Sequence, residues 1–299
     1  MHLPARSHAL IAVSEEVRSA LADRRAVVAL ETTLVAHGFP RGRGLEVGLE
    51  SERRVREAGA VPASVGVLDG AVRVGLSTGE LERFQPSARK VGPRDIAACA
   101  AQGAVGATTV GGTLAVCRQI GIRFLGTGGL GGVHRGWAQR PDVSPDAGQL
   151  ARTQAVVVSS GVKSLLDVPA TTELLETLGV PVLGYRTDEL PLFYTARGGP
   201  PVSARVETAE EAARVAAAHW RLGGGGLLLG NPPAESVEEI EPLIEEALAE
   251  AARRGVSGQA VTPFVLSFLH ERSEGRTLAV NARMVADNAA LAAEVVAAS

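Results

Sequence analysis

Short apolar runs alternate along the chain with longer segments whose apolar residues recur at helical spacing. Several of these runs are continuous, which is typical of strands that are covered on both faces. The predicted strands are 26–30, 64–68, 71–74, 122–125, 155–159, 181–183 and 227–230. The predicted helices are 15–23, 45–58, 94–102, 113–119, 171–178, 209–221, 237–254 and 282–298. This alternation predicts an α/β sheet with helical crossovers.

The order of elements indicates one folding unit, since the chain shows neither an internal repeat nor a low-complexity linker. Two predicted helices begin with capping boxes, Thr208 with Glu211 and Ser236 with Glu239. The glycine run 223–226 could act as a hinge, but between a helix end and a strand it favours a C-cap and turn. We expect residues 1–299 to form a single domain.

Composition narrows the classes of function. The net charge of −3 gives no basic footprint for nucleic acid, so a nucleotide substrate would be small and free. No run approaches the roughly 20 apolar residues of a membrane span, and residues 1–25 lack the core of a signal peptide. Two cysteines are too few for a disulfide framework. We expect a cytoplasmic protein that binds neither nucleic acid nor membranes.

Lysine is scarce, which directs attention to Lys90 and Lys163. They are the two lysines among 30 basic side chains, and the other 28 are arginine. A GC-rich genome would favour arginine wherever only charge and solubility matter. Lysine can act as a nucleophile, whereas arginine stays protonated. Each lysine is therefore a candidate for a role that arginine cannot fill, or is a chance survivor.

Glu31 and Lys163 both follow predicted strands, at the edge where open α/β sheets bind ligands. Burial there would raise the pKa of the Glu31 carboxyl and prepare a general acid, unless Glu31 only caps a turn. Lys163 follows a Gly/Ser turn at an expected helix start, whose positive end would favour the neutral, nucleophilic amine. The alternative for Lys163 is an ordinary surface lysine.

The glycine-rich segment, residues 126–136, follows the predicted strand 122–125. Five glycines within seven residues would let backbone N–H groups approach an anion closely. His134 and Arg135 would add further donors. We favour a sugar-phosphate loop, with a purely structural glycine turn as the alternative.

Two further segments carry candidate ligands. Asp142 and Asp146 lie in a proline-rich loop and suit a hard cation such as Mg²⁺ or Mn²⁺, although such aspartates are more often turn residues. Arg89 and Lys90 precede Gly-Pro and could hold a phosphate or form a solvated loop. The sequence has no zinc-ligand spacing. It also has no Gly-x-Ser-x-Gly elbow, which argues against a serine hydrolase.

In this order, and along nearly the whole chain, these segments resemble the pseudouridine-5′-phosphate glycosidase family, which includes the indigoidine synthase A-like proteins. The markers are residues 27–33 (VVALETT), 37–38 (HG), 106–110 (GATTV), 128–136 (GGLGGVHRG), 161–167 (GVKSLLD), 184–185 (GY) and 262–264 (TPF). The GGVHRG stretch and the lysine segment together make the resemblance specific.

The resemblance implies a three-layer α/β/α fold with a mostly parallel central sheet, a homotrimer and a divalent metal, usually Mn²⁺. Members of this family interconvert pseudouridine 5′-phosphate and water with uracil and ribose 5-phosphate. By position, Lys163 matches the nucleophile that attacks C1′, Glu31 the proton donor and Asp142 the metal ligand. The positions that match substrate contacts are Lys90, Val110, Ser144, Pro145 and Asp146.

The chain departs from the family pattern at three places. Pro145 stands where alanine is usual, and proline removes an N–H that the family could use. Residues 111–113, Gly-Gly-Thr, replace the more usual small-Ser-Thr and would loosen the wall beside the base. Asp287-Asn288 stands where an asparagine pair is common, and we assign it no role.

The chemistry agrees with the resemblance. A carbon–carbon glycosidic bond has no leaving-group heteroatom, so hydrolysis by two carboxylates suits it poorly. An amine that opens the ribose and forms an iminium at C1′ would supply an electron sink for breaking that bond. Two alternatives stay open: a Schiff-base lyase or aldolase acting on another sugar phosphate, and a non-catalytic phosphosugar-binding protein.

Overall fold

The structure is a computed structural model that describes residues 10–40, 42–139, 141–237 and 239–299. The interpretation of the amino-terminal segment rests partly on residues 1–9, which lie outside the described residues, as does Arg140. Within the described ranges, no helix is both long enough and apolar enough to cross a membrane.

Eleven strands in these ranges form a single sheet. They are β1 (Ile11–Val13), β2 (Val27–Glu31), β3 (Val61–Leu68), β4 (Ala71–Val74), β5 (Arg89–Val91), β6 (Gly106–Thr108), β7 (Phe124–Gly126), β8 (Val156–Ser159), β9 (Val182–Tyr185), β10 (Ala204–Val206) and β11 (Leu227–Gly230). The order is β1-β4-β3-β2-β7-β8-β11-β9-β10, and β6 pairs with β3 and β5. Pairing is parallel except where β3 meets β4 and β6.

Helices connect the strands. They are α1 (Glu15–Ala22), α2 (Thr33–His37), α3 (Arg43–Glu57), α4 (Thr78–Leu81), α5 (Ile96–Ala101), α6 (Val110–Ile120), α7 (Pro145–Ala151), α8 (Val168–Thr177), α9 (Ala209–Arg221), α10 (Ile240–Arg253), α11 (Val261–Arg272) and α12 (Arg276–Ala297). A short 3₁₀ turn, Gly258–Ala260, precedes α11.

Both faces of the sheet are covered by helices, which confirms the three-layer α/β/α fold with a mostly parallel sheet. Successive residues of β8 show this arrangement. Val157 packs in one hydrophobic cluster with Leu114 of α6 and Leu175 of α8, whereas Val156 packs in a second cluster with Ala289 of α12. Continuous apolar strands are the expected consequence of burial on both faces.

The elements that the sequence did not predict are mostly short. Strands β1, β5, β6 and β10 have three residues each, too few for a hydrophobic period to show. Helices α2, α4 and α7 have at most seven residues. The longer α11 was missed because Pro263 lies in its first turn and apolar residues surround it on several sides.

The predicted capping boxes are correct only in part. Thr208 caps α9 by accepting the Glu211 N–H at 3.2 Å, but the Glu211 carboxylate accepts from a different backbone N–H than the box requires. The box at Ser236 is wrong, because α10 begins at Ile240. The Ser236 hydroxyl oxygen accepts the backbone N–H of Ala196 instead.

The strand order brings the candidate residues to one edge of the sheet. β2 ends at Glu31, β7 leads into the glycine-rich segment and β8 leads toward Lys163. These three strands are adjacent and parallel, so their carboxyl ends lie side by side. Ligands of open α/β sheets bind at such an edge.

Gly126 allows α12 to pack directly against the end of β7. A Cβ at this position would lie 2.6 Å from the Cα of Ala289, so one of the two backbones would have to move. We expect Gly126→Ala to lower the free energy of unfolding, measured by urea denaturation, by about 1–3 kcal/mol. Gly79→Ala in α4 is the control, because a Cβ there meets no heavy atom within 4 Å. Equal stability of the two variants would contradict this packing.

Candidate active site

A cavity of about 600 Å³ opens at the carboxyl edge of the sheet. We call it the central cavity. Seven of the eight predicted site residues line it: Glu31, Lys90, Asp142, Ser144, Pro145, Asp146 and Lys163. The eighth, Val110, is the first residue of α6, and its side chain is buried in the hydrophobic core. The fold therefore assembles almost the whole predicted set in one place.

A smaller recess of about 50 Å³ adjoins the central cavity. Glu31, Lys90 and Lys163 line both spaces, so they lie where the two meet. The rings of Phe39 and Phe193 form part of the wall of the recess. The two lysines and the glutamate thus border a polar chamber and a more apolar one.

Glu31 is the last residue of β2, and its side chain is only 8 % exposed. The Thr127 hydroxyl donates a hydrogen bond of 2.5 Å to its Oε1. Burial raises the pKa of the Glu31 carboxyl above its ordinary range, while the charge of Lys163 and the bond from Thr127 oppose this rise. The raised pKa agrees with the sequence-based expectation of a general acid at this edge.

Lys163 lies in an irregular loop, residues 160–167, which we call the Lys163 loop. The expected helix start at Lys163 is wrong, because α8 begins at Val168 with Asp167 as its N-cap. The Gly/Ser turn after β8 is instead followed by an extended stretch, in which Val162 bridges Leu130 in parallel. The placement of the amine therefore depends on the neighbouring chain segment and not on a helix end.

Several backbone groups of the glycine-rich segment are hydrogen-bonded to the Lys163 loop. The Leu130 N–H donates to the Gly161 carbonyl at 3.0 Å, and the Lys163 N–H donates to the Leu130 carbonyl at 3.1 Å. A Cβ at Gly132 would lie 2.2 Å from the Thr171 side chain of α8, so glycine is needed where the segment approaches this helix. At Leu130 and Gly132 the structure therefore favours the structural alternative, whereas anion binding stays a prediction for Gly128 and Gly129, which line the recess.

The side chains of His134 and Arg135 lie in different places. His134 lines the central cavity beside Asp142, and burial lowers the pKa of its imidazole while the Asp142 charge opposes that shift. Arg135 is not part of the cavity lining. Its guanidinium donates to the carbonyl oxygens of Ser164 at 2.8 Å and Leu166 at 3.3 Å. The expectation that both side chains would serve as anion donors is therefore wrong for Arg135.

Asp146 is a helical residue of α7 and not a loop carboxylate, contrary to the sequence-based expectation. It is 2 % exposed. Its Oδ1 accepts the Gly111 N–H at 2.8 Å, and its Oδ2 accepts the Gly131 N–H at 3.0 Å. One carboxylate thereby joins the amino end of α6 to the glycine-rich segment, in addition to lining the cavity.

The chain's departures from the family pattern fit the local backbone. Pro145 is the first residue of α7, where the N–H has no partner within the helix, so proline removes no helical hydrogen bond. The Ser144 Oγ accepts the Asp146 N–H at 3.3 Å as the N-cap of this helix. The expected loosening at Gly112 is wrong, because the Val91 carbonyl oxygen lies 2.4 Å from where its Cβ would be.

Lys90 lies in strand β5 and not in a solvated loop. Burial lowers the pKa of its amine to about 8, and the positive charge of Lys163 acts in the same direction. The charges of Asp146 and Glu31 oppose the shift. The charge of Lys163 therefore reaches the Lys90 amine, which places the two lysines of the chain near each other at the cavity.

Asp142 lies in the loop before α7 and offers a hard oxygen ligand. The His134 N–H donates to the Asp142 carbonyl at 3.0 Å, which keeps the two residues together at the cavity wall. Among the described residues, no cluster of three or more His, Cys, Asp or Glu side chains could hold a metal. One carboxylate beside a cavity suits a cation such as Mg²⁺ or Mn²⁺ that keeps water and substrate oxygens as its other ligands.

All three asparagines of the chain lie at this edge, a feature that sequence reasoning missed. Asn281 is 3 % exposed and lines the recess. Asn288 is fully buried, and its Nδ2 donates to the Thr127 carbonyl at 2.8 Å and to the Ser160 Oγ at 3.2 Å. Asn231 donates to the Asn288 Oδ1 at 2.9 Å. The scarcity of asparagine, like that of lysine, was the available signal.

The raised pKa of Glu31 makes stability depend on pH. Between the ordinary glutamate pKa of about 4.5 and the raised folded value, the folded protein keeps a proton that the unfolded chain has lost. We therefore expect the unfolding free energy of the wild type, relative to Glu31→Gln, to fall as pH rises from about 4.5. Urea denaturation across this range measures the difference. Glu245→Gln on the exposed side of α10 is the matched control, and a flat difference for Glu31→Gln would refute the assignment.

Comparisons with known proteins agree with this architecture. The profile of the family described as "Indigoidine synthase A like protein" matches residues 16–298. A pseudouridine-5′-phosphate glycosidase of Streptomyces griseus subsp. griseus is 50% identical over 292 residues, covering 95% of this chain and 90% of the relative. The corresponding protein of Sorangium cellulosum is 46% identical, covering 95% and 92%.

Two solved structures share the fold. One is the prealnumycin C-glycosynthase AlnA in complex with ribulose 5-phosphate, with a TM-score of 0.87, 41% identity and 97% coverage of each chain. The other is an indigoidine synthase A-like protein from Thermotoga maritima, with a TM-score of 0.87, 38% identity and coverage of 99% of this chain and 98% of that one. The chain belongs to the indigoidine synthase A-like protein family.

Proposed function

We propose that this protein is a pseudouridine-5′-phosphate glycosidase that reversibly cleaves the carbon–carbon glycosidic bond to give uracil and ribose 5-phosphate. The observation that carries the proposal is the shared cavity of Lys163 and Glu31, in which burial raises the pKa of the carboxyl. An amine nucleophile and a carboxyl that keeps its proton to higher pH than an exposed glutamate are the two groups that this cleavage needs. The names of the relatives at 46–50% identity support the same substrate.

Lys163 is the nucleophile in this mechanism. Its amine forms a bond to C1′ of the ribose while the ring bond between C1′ and O4′ breaks and O4′ takes a proton. The nitrogen lone pair then forms C1′=N as the bond from C1′ to C5 of uracil breaks, so the iminium nitrogen carries the positive charge and the electron pair of the broken bond stays on uracil. Water adds to the iminium and releases ribose 5-phosphate and Lys163, while the proton that this step frees returns to the Glu31 carboxylate and leaves the lysine as the free amine.

Glu31 is the proton donor. When the glycosidic bond breaks, its electron pair stays on the uracil ring and must be protonated at C5. The raised pKa of Glu31 keeps a proton on the carboxyl at higher pH than for an exposed glutamate, which suits a general acid. The Thr127 hydroxyl, bonded to Oε1, fixes the orientation of the carboxyl.

Phosphate and metal complete the proposed site. Lys90 and Ser144 line the central cavity and would bind the phosphate of the substrate, far from the bond that breaks. Such binding would orient the ribose toward Lys163. Asp142 would hold a divalent cation, Mn²⁺ by resemblance, whose charge would help to fix an anionic substrate. The homotrimer and the cytoplasmic location stay predictions.

The decisive experiment is uracil release from pseudouridine 5′-phosphate, followed by absorbance or chromatography, with the reverse condensation of uracil and ribose 5-phosphate as a second test. Release of uracil supports the proposal. Turnover of a different sugar phosphate without uracil release would instead favour the lyase or aldolase. Tight binding of ribose 5-phosphate without any turnover would favour a non-catalytic binding protein.

Replacing Lys163 with arginine tests whether the reaction needs a nucleophilic amine or only a positive charge at this position. We expect Lys163→Arg to abolish uracil release while leaving the thermal unfolding temperature close to that of the wild type, because guanidinium keeps the charge but cannot form an imine. Borohydride reduction with ribose 5-phosphate should leave a mass adduct on Lys163 of the wild type. Lys90→Arg is the matched control and should mainly raise KM. Wild-type turnover in Lys163→Arg would rule out this nucleophile.

The proposed cation is tested by its removal. We expect a chelator to abolish uracil release and added Mn²⁺ to restore it, and Asp142→Asn to require a higher Mn²⁺ concentration for half-maximal rate. Direct Mn²⁺ binding, measured by calorimetry in the presence of ribose 5-phosphate, should weaken in the same variant. Full activity of the wild type in excess chelator would exclude a catalytic metal.

A further inference from the structure

We propose that Arg135 is a positioning residue that holds the Lys163 loop in the shape that presents the lysine amine to the substrate. The proposal rests on the proposed function, because it assigns Arg135 to the reaction that Lys163 carries out. The effect of Arg135 on the loop itself can also be measured without any turnover.

The contacts of Arg135 converge on the carboxyl-terminal half of the Lys163 loop. Its Nη2 donates to the Ser164 carbonyl at 2.8 Å, and its Nε donates to the Leu166 carbonyl at 3.3 Å. Its Nη1 donates to the Glu241 carboxylate at 2.6 Å, which ties the guanidinium to the start of α10. The three donor atoms thus point to two loop carbonyls and one helix.

These contacts complete a clamp around Lys163. On its amino-terminal side, the Lys163 N–H donates to the Leu130 carbonyl. On the carboxyl-terminal side, the loop turns with the Leu166 N–H donating to the Lys163 carbonyl at 3.0 Å, and there Arg135 holds the carbonyls of Ser164 and Leu166. The backbone that carries the nucleophile is therefore fixed from both directions.

The geometry requires a guanidinium. Ser164 and Leu166 are buried, and a buried carbonyl without a donor is costly. Arginine carries its donors in a fixed planar fork that can serve two carbonyls at once, whereas a lysine ammonium is a single point on a flexible stem. Because 28 of 30 basic residues are arginine, the residue type alone would not have indicated this role. The role is indicated by the hydrogen bonds of Arg135 to the two carbonyl oxygens.

Kinetics of two variants test the positioning role. We expect Arg135→Lys to lower kcat for uracil release by at least 10-fold and Arg135→Ala by about 100-fold, with KM changed by less than about threefold, since a misplacement of about 1 Å can cost this much. The rate of borohydride-trapped adduct formation on Lys163 at saturating ribose 5-phosphate should fall in parallel. Arg135→Lys with kcat within about threefold of the wild type would overturn the proposal.

Chemical rescue distinguishes positioning from general damage. The Arg135 side chain is 31 % exposed, so a small cation can reach its place. We expect millimolar guanidinium chloride to restore part of the kcat of Arg135→Ala, whereas the same concentration of sodium chloride should not. Loss of kcat together with a higher KM, a lower unfolding temperature and no rescue would indicate structural damage and contradict the proposal. If Arg135→Ala does not fold, Arg135→Lys alone decides.

Glu241→Gln is the matched control. It removes the outer ion pair and leaves both carbonyl contacts available, so we expect kcat and adduct formation near those of the wild type. A loss of kcat as large as that of Arg135→Lys would show that turnover depends on the ion pair with Glu241 of α10 and not on the hydrogen bonds to the loop carbonyls. That result would overturn the proposal as stated.

Hydrogen exchange separates this proposal from the proposed function. We expect the amides of residues 160–167 to exchange faster in Arg135→Lys than in the wild type, while β8 stays protected. If the wild type releases no uracil but exchange in the loop rises, the proposed function fails and the loop contact stands. If the wild type is active and exchange in the loop is unchanged, the positioning role fails and the proposed function stands.

Discussion

The backbone pairing between the glycine-rich segment and the Lys163 loop is the constraint on which the site depends. Two irregular segments leave adjacent strands, β7 and β8, and run side by side through hydrogen bonds that involve Leu130, Gly161 and Lys163. Glycine lets this part of the chain approach its neighbours closely, because a Cβ at Gly132 would lie 2.2 Å from the Thr171 side chain and a Cβ at Gly161 would lie 1.8 Å from the Pro191 carbonyl oxygen. The sequence predicted that the glycines approach an anion, whereas Gly131 and Gly132 approach other parts of the chain, Asp146 and Thr171.

Burial is the second constraint, and it acts on the charged groups in a consistent way. It raises the pKa of Glu31 and lowers the pKa of Lys90 to about 8, so both groups are shifted toward their neutral forms. The opposing charges within the cavity limit these shifts and do not cancel them. Clusters of perturbed titratable groups in a cleft are typical of functional sites.

Polar side chains that take no part in the proposed bond cleavage connect the walls of the central cavity. The Asp146 carboxylate joins α6 to the glycine-rich segment. Asn288 joins the ends of β7 and β8 from α12, and Asn231 extends this link to the end of β11. Buried polar groups with every partner satisfied fix one arrangement of the surrounding backbone. The geometry of the cavity is therefore set partly by Asn231 and Asn288, to which the sequence assigned no role.

The sequence by itself determined the α/β class, most of the longer helices, the central strands and seven residues that line the central cavity, because hydrophobic period and motif are local properties. It could not place Lys90 in a strand or Asp146 in a helix, since β5 and α7 are too short to show a period. It also could not reveal that Arg135 grips the Lys163 loop. Only the tertiary structure decided these points, because each depends on which backbone atoms the fold brings within hydrogen-bonding distance.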